Sequence, residues 1–156
     1  MKARVSVAMA LVLVCALLVL PAPALATPPE TLQIHAEMWM MPDGVSAVGW
    51  FSISGPGFGD GGSASEVFHL ADDTLHGIKT LVGQQGTIAL RFQARSEWSG
   101  PTTAIALGRF VIVSGTGAYE RLHGTGTTEA TLDLGCFGPD CPPNILADYT
   151  GTGHFD

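Results

Sequence analysis

The sequence predicts an all-β protein, a single eight-stranded antiparallel up-and-down β-barrel that follows a cleavable export signal. Three observations predict it. Segments of about ten residues alternate apolar and polar side chains with the period of two that marks half-buried strands. Clusters of Gly, Pro, Asp and Ser separate them at short intervals, as turns do. No segment after the signal shows the 3.6-residue periodicity of an amphipathic helix.

The signal occupies residues 1–26. Lys2 and Arg4 precede an uncharged apolar run over 5–20, Pro21 and Pro23 end any helix, and Ala24-Leu25-Ala26 supplies a small-x-small cleavage pattern. The run falls short of the roughly 20 apolar residues that span a bilayer. Val14 precedes Cys15 where a lipid-attachment site wants Gly or Ala. Cleavage after Ala26 leaves Thr27 at the N-terminus and places the product outside the cytoplasm, in the periplasm or the medium. Residues 27–156 then make one domain, long enough for a core of its own. Two of the seven basic residues leave with the signal, which takes the formal net charge from −7 to about −9. Such a surface, with no basic stripe, repels phosphate backbones, so nucleic acid is excluded as a partner. After cleavage no membrane association is expected either.

The first strand spans 31–41, with Leu32, Ile34, Ala36, Met38 and Met40 on one face and Gln33, His35, Glu37 and Trp39 on the other. Pro42-Asp43-Gly44 turns the chain into a second strand over 45–54, whose inward set is Ala47, Gly49, Phe51 and Ile53. Five glycines and a proline over 55–62 predict a flexible loop and a candidate lid. Strands follow over 65–70, 74–82 and 86–94, the last with Ile88, Leu90, Phe92 and Ala94 on one face, and 95–107 is expected to be a loop. The remaining strands are 108–113, 122–134 and 146–155, the last two separated by Cys136-Phe-Gly-Pro-Asp-Cys141. In an oxidising compartment these cysteines are expected to pair, closing a ring worth about 2 kcal/mol. Gly138-Pro139 and Pro142-Pro143 make the segment a turn and argue against a redox site.

The stretch Gly108-Arg-Phe-Val-Ile-Val-Ser-Gly-Thr-Gly-Ala-Tyr-Glu-Arg-Leu-His-Gly-Thr-Gly126 resembles the allene oxide cyclase barrel-like superfamily, which includes dirigent proteins and many secreted bacterial proteins without assigned function. The likeness is a strand ending in Phe110-Val-Ile-Val113, a Gly115-Thr-Gly117 turn, an aromatic at Tyr119 and a return through Leu122 and Gly124. Tyr149-Thr-Gly-Thr-Gly-His-Phe155 looks like the last strand of the bacterial members. The resemblance implies a cavity-bearing scaffold and a leaning towards small apolar ligands. It carries no catalytic residue onto this chain, and fold alone does not give function. Gly115, Gly117, Tyr119 and Gly124 are expected to be structural, the glycines by reaching φ > 0 and Tyr119 with Leu122 by plugging a barrel end.

No constellation after the signal reads as catalytic. His35 and Glu37 share a strand face in an H-x-E pair, but five histidines (His35, His69, His76, His123 and His154) show no metal-ligand spacing. No cofactor or metal is expected. Ile34, Met38, Phe51, Phe92 and Tyr149 point into the barrel and either fill it or line a small pocket, since eight strands permit both. Alternation puts almost no polar group inside, Tyr149 excepted. The expected function is therefore non-catalytic binding of a small apolar ligand or a protein partner. The alternative is an isomerase, cyclase or coupling-directing enzyme that shapes a reactive intermediate in its lumen. Trp39, Val48 and Trp50 face outwards on two neighbouring strands and form a candidate surface for self-association.

Overall fold

The computed structural model describes residues 28–136 and 140–156. The predicted signal, 1–26, lies outside them. Eight antiparallel strands close into a barrel in chain order: β1 (Glu30–Met40), β2 (Ser46–Gly55), β3 (Phe58–Ala71), β4 (Thr74–Gly83), β5 (Thr87–Trp98), β6 (Thr103–Gly115), β7 (Leu122–Asp133) and β8 (Ile145–Phe155). Closure comes from β8 pairing with β1, Ile34 opposite Tyr149 and Ala36 opposite Ala147. No strand edge is left to template aggregation.

The inward sets read from alternation are the buried ones, and Ile34, Met38, Phe51, Phe92 and Tyr149 all lie in the core. Each such side chain, fully buried, contributes about 1.5–3 kcal/mol. Cys136 and Cys141 form a disulfide with Cα atoms 5.8 Å apart.

Two predicted loops are strands. The 55–62 segment is no lid: Pro56-Gly57 makes a tight turn with Gly57 at φ +71, and Phe58 to Gly62 pair with Gly55 to Phe51. Glycine density reads as freedom in a sequence, but here the β2 ladder holds the backbone. Likewise 95–107 extends β5 and β6 into a hairpin that turns only over 99–102. Its irregular side-chain pattern concealed a regular backbone.

One end of the barrel is plugged as the glycine-rich motif implied. Tyr119, on a 3₁₀ turn (Gly117–Tyr119), and Leu122 are buried there, with Phe58 tilted against the Tyr119 ring and edge-on to Phe155. The glycines work differently from expectation. Only Gly117 holds a positive φ (+61); Gly115 instead lies so close to the Tyr119 backbone that a Cβ would fall 2.0 Å from its carbonyl oxygen, and Gly124 is hemmed by the Ile112 and Leu32 side chains.

Candidate functional site

The lumen holds charge that alternation within the first two strands did not foretell. On β3, Ala64, Glu66 and Phe68 point inwards; on β4, Gly77, Lys79 and Leu81 do. Lys79 is wholly buried and Glu66 nearly so, joined by an ion pair of 2.9 Å. Lys79 also donates to Met38 Sδ at 3.0 Å and lies 5.1 Å from the Tyr149 ring centre. Burial pushes the Tyr149 phenol's pKa upward, against the lowering effect of Lys79 and Thr128. Burial alone would lower the Lys79 ammonium, but the Tyr149 and Glu66 oxygens outweigh it, so Lys79 titrates above its usual range. The expectation that Tyr149 stands almost alone among polar inward groups is thus corrected to a quartet, Glu66, Lys79, Thr128 and Tyr149. The alternation Ala64-x-Glu66-x-Phe68 and Leu75-x-Gly77-x-Lys79-x-Leu81 carried that signal.

Beside the quartet the lumen narrows to about 30 Å³ of free space. Its walls include Ala94, Ala106, Ala130 and Ala147 together with Phe68 and Leu75. That is room for about one or two waters. No described buried side-chain polar atom lacks a partner.

The large concavity lies outside the wall. Two rows of outward side chains cross β3 to β7 at register positions two apart. One is Val67, Ile78, Arg91, Val111 and Thr125; the other is His69, His76, Gln93 and Arg109. Between them run Phe68, Gly77, Phe92 and Phe110, mutually paired and facing in. Gly77 matters because the Phe92 ring sits where its Cβ would be, 2.4 Å from Phe92 Cζ. The resulting trough has a volume of about 940 Å³. It crosses four strand spacings, so it is roughly 20 Å long. His69 and His76 stack at 5.3 Å, Arg91 and Arg109 are diagonal neighbours across the β5–β6 ladder, and no carboxylate lines the trough among the described residues.

The other sequence candidates fall elsewhere. His35 and Glu37 are exposed on β1; His35 Nδ1 meets Asp148 at 2.7 Å and Nε2 meets Glu37 at 3.4 Å. The Asp148 carboxylate, aided by Glu37, raises the His35 pKa against a smaller opposing effect of burial. Trp39, Val48 and Trp50 face outwards, with Trp39 edge-on to Trp50 at 4.6 Å. No cluster of three or more His, Cys, Asp or Glu residues suited to a metal occurs among the described residues. No helix among them is long and apolar enough to cross a membrane. No protein family, curated protein or solved structure matches the chain.

Proposed function

We propose that this protein is a secreted, non-catalytic barrel that binds an elongated apolar molecule with an anionic head, such as a long-chain carboxylate, in the trough across β3 to β7. One observation carries the reading. In a chain of formal net charge −7, the trough gathers Arg91 and Arg109 beside Val67, Ile78 and Val111 with no acidic residue among the described residues that line it. Arginine binds carboxylates through paired hydrogen bonds, and the apolar row receives a hydrocarbon chain. The hollow beside the buried quartet, at about 30 Å³, is too small for such a molecule. Export is supported by the character of residues 1–26 and by the disulfide. The resemblance of residues 108–126 to allene oxide cyclase-like barrels agrees with a small-ligand role.

Calorimetric titration with oleate tests this. The double variant Arg91→Ala/Arg109→Ala should weaken binding by at least tenfold, since each charge-assisted contact is worth about 1.5–3 kcal/mol. Failure of oleate to bind, or binding that ignores both arginines, overturns the proposal.

A second reading is a lumen enzyme of the isomerase or cyclase kind, and the Glu66–Lys79–Tyr149 cluster favours it by placing ionisable groups inside. It requires the hollow of about 30 Å³ to widen around a substrate. Under that reading, filling the hollow by Ala106→Phe would abolish ligand binding while the arginine variant left it intact.

A further inference from the structure

The outward face of β1, β2 and β8, away from the trough, is built differently. Its register gives three rungs: Trp50, Glu37 and Leu146; Ser52, His35 and Asp148; Ser54, Gln33 and Thr150. Trp50 is 51% exposed, yet its ring is held. Its Nε1 donates to Glu37 Oε2 at 3.1 Å, and the edge of Trp39 lies against it. Trp39 is anchored in turn by donating from Nε1 to the Cys141 carbonyl at 2.9 Å, so the disulfide loop braces the pair. From Trp50 the network runs through Glu37 to His35 and on to Asp148. Beyond it a hollow of about 380 Å³ is bordered by Gln33, His35, Ser52, Ser54, Asp148 and Thr150.

We propose that this face is a carbohydrate-binding surface, in which Trp50 stacks on the apolar face of a neutral sugar ring while Glu37 and Asp148, held in place by His35, and Gln33 hydrogen-bond its hydroxyls. A sugar ring has one apolar C–H face and a rim of hydroxyls that both donate and accept. The rungs supply the complement: a rigid indole beside fixed acceptors, then the Gln33 amide and the Ser52 and Ser54 hydroxyls, which have no side-chain partner among the described residues. Covering these groups with an apolar protein surface would strip their water without replacing its hydrogen bonds. An anionic ligand is opposed by Glu37, Asp148 and Glu129, which pairs with Asp148 on β7. Three rungs two residues apart span about 14 Å, enough for a short oligosaccharide.

The test is titration of the oxidised protein with cellohexaose, laminarihexaose, chitohexaose and mannohexaose, followed by tryptophan fluorescence. At least one should bind with a dissociation constant on the order of 10⁻⁴ M. Trp50→Ala should weaken it at least tenfold. Gln33→Ala, which touches neither tryptophan, should weaken it several-fold with an unchanged melting temperature. Arg91→Ala/Arg109→Ala should leave it unaltered, which separates this site from the trough. The proposal is overturned if none of the four perturbs the fluorescence at about 10 mM, or if binding survives Trp50→Ala. Self-association abolished by Trp50→Ala, seen by sedimentation velocity without saccharide binding, also overturns it and makes the Trp39, Val48 and Trp50 face a homodimer contact.

Discussion

Removing the Lys79 ammonium while leaving its partner is the perturbation with the largest expected effect. Lys79→Met keeps the length and apolar stem of the side chain but leaves Glu66, nearly fully buried, facing a thioether and Tyr149. Breaking one side of a buried pair typically costs about 3–5 kcal/mol, because the remaining charge has lost its water and its counter-ion together. For a domain of this size that is a fall in melting temperature of roughly 10–20 °C. The deficit should narrow as pH is lowered from 8 to 5, since a carboxylate without its ammonium folds best when protonated. Glu66→Leu/Lys79→Met removes both charges and should recover to within about 1 kcal/mol of the native protein or exceed it. The native protein should hold the Lys79 contribution across neutral pH. A raised folded pKa keeps that contribution complete below the unfolded lysine value near 10.5 and loses it only as pH climbs above. Urea denaturation of the three proteins at several pH values measures all of this. A Lys79→Met variant within about 0.5 kcal/mol of native would refute the reasoning, and so would a double variant no better than the single.

Four further outcomes are expected. Tyr119 donates its hydroxyl to Asp60 at 2.7 Å, and that bond, with the Gln85, Gly61 and Gln84 amides, holds the Asp60 pKa down to about 2. A depressed folded pKa gives stability that is present above the unfolded value of 3.8 and lost as pH falls towards 2, so the gap between native and Tyr119→Phe should shrink over that window in acid titrations followed by circular dichroism. Gly117→Val should cost about 1–3 kcal/mol in chemical denaturation from its positive φ, and more because its Cβ would lie 2.5 Å from the Gln85 carbonyl oxygen. Reducing Cys136–Cys141 should lower stability by about 2 kcal/mol, and the native oxidised protein should show no thiol reactive towards Ellman's reagent. Expressed with residues 1–26 in a bacterium, the protein should be recovered outside the cytoplasm with Thr27 first by intact mass; a secreted product that retains 1–26 would count against the signal.

Alternation made the strands legible, while their closure into a barrel was decided by the β8–β1 pairing. The period of two in β1, β2 and β5 named the inward faces, and the turn at Asp43-Gly44 placed the first hairpin, because both are local properties of the chain. The Cys136–Cys141 pairing was equally local. Tertiary structure alone decided the rest. Alternation along β3 and β4 could have turned Glu66 and Lys79 inwards, but only the β3–β4 register makes them partners. Phe58 to Gly62 read as a loop until β2 supplied its ladder. The trough and the three-rung face are both made of residues from strands distant in sequence, brought into line only by register. A strand records which way each side chain points, while its neighbours are chosen by the closure of the whole sheet.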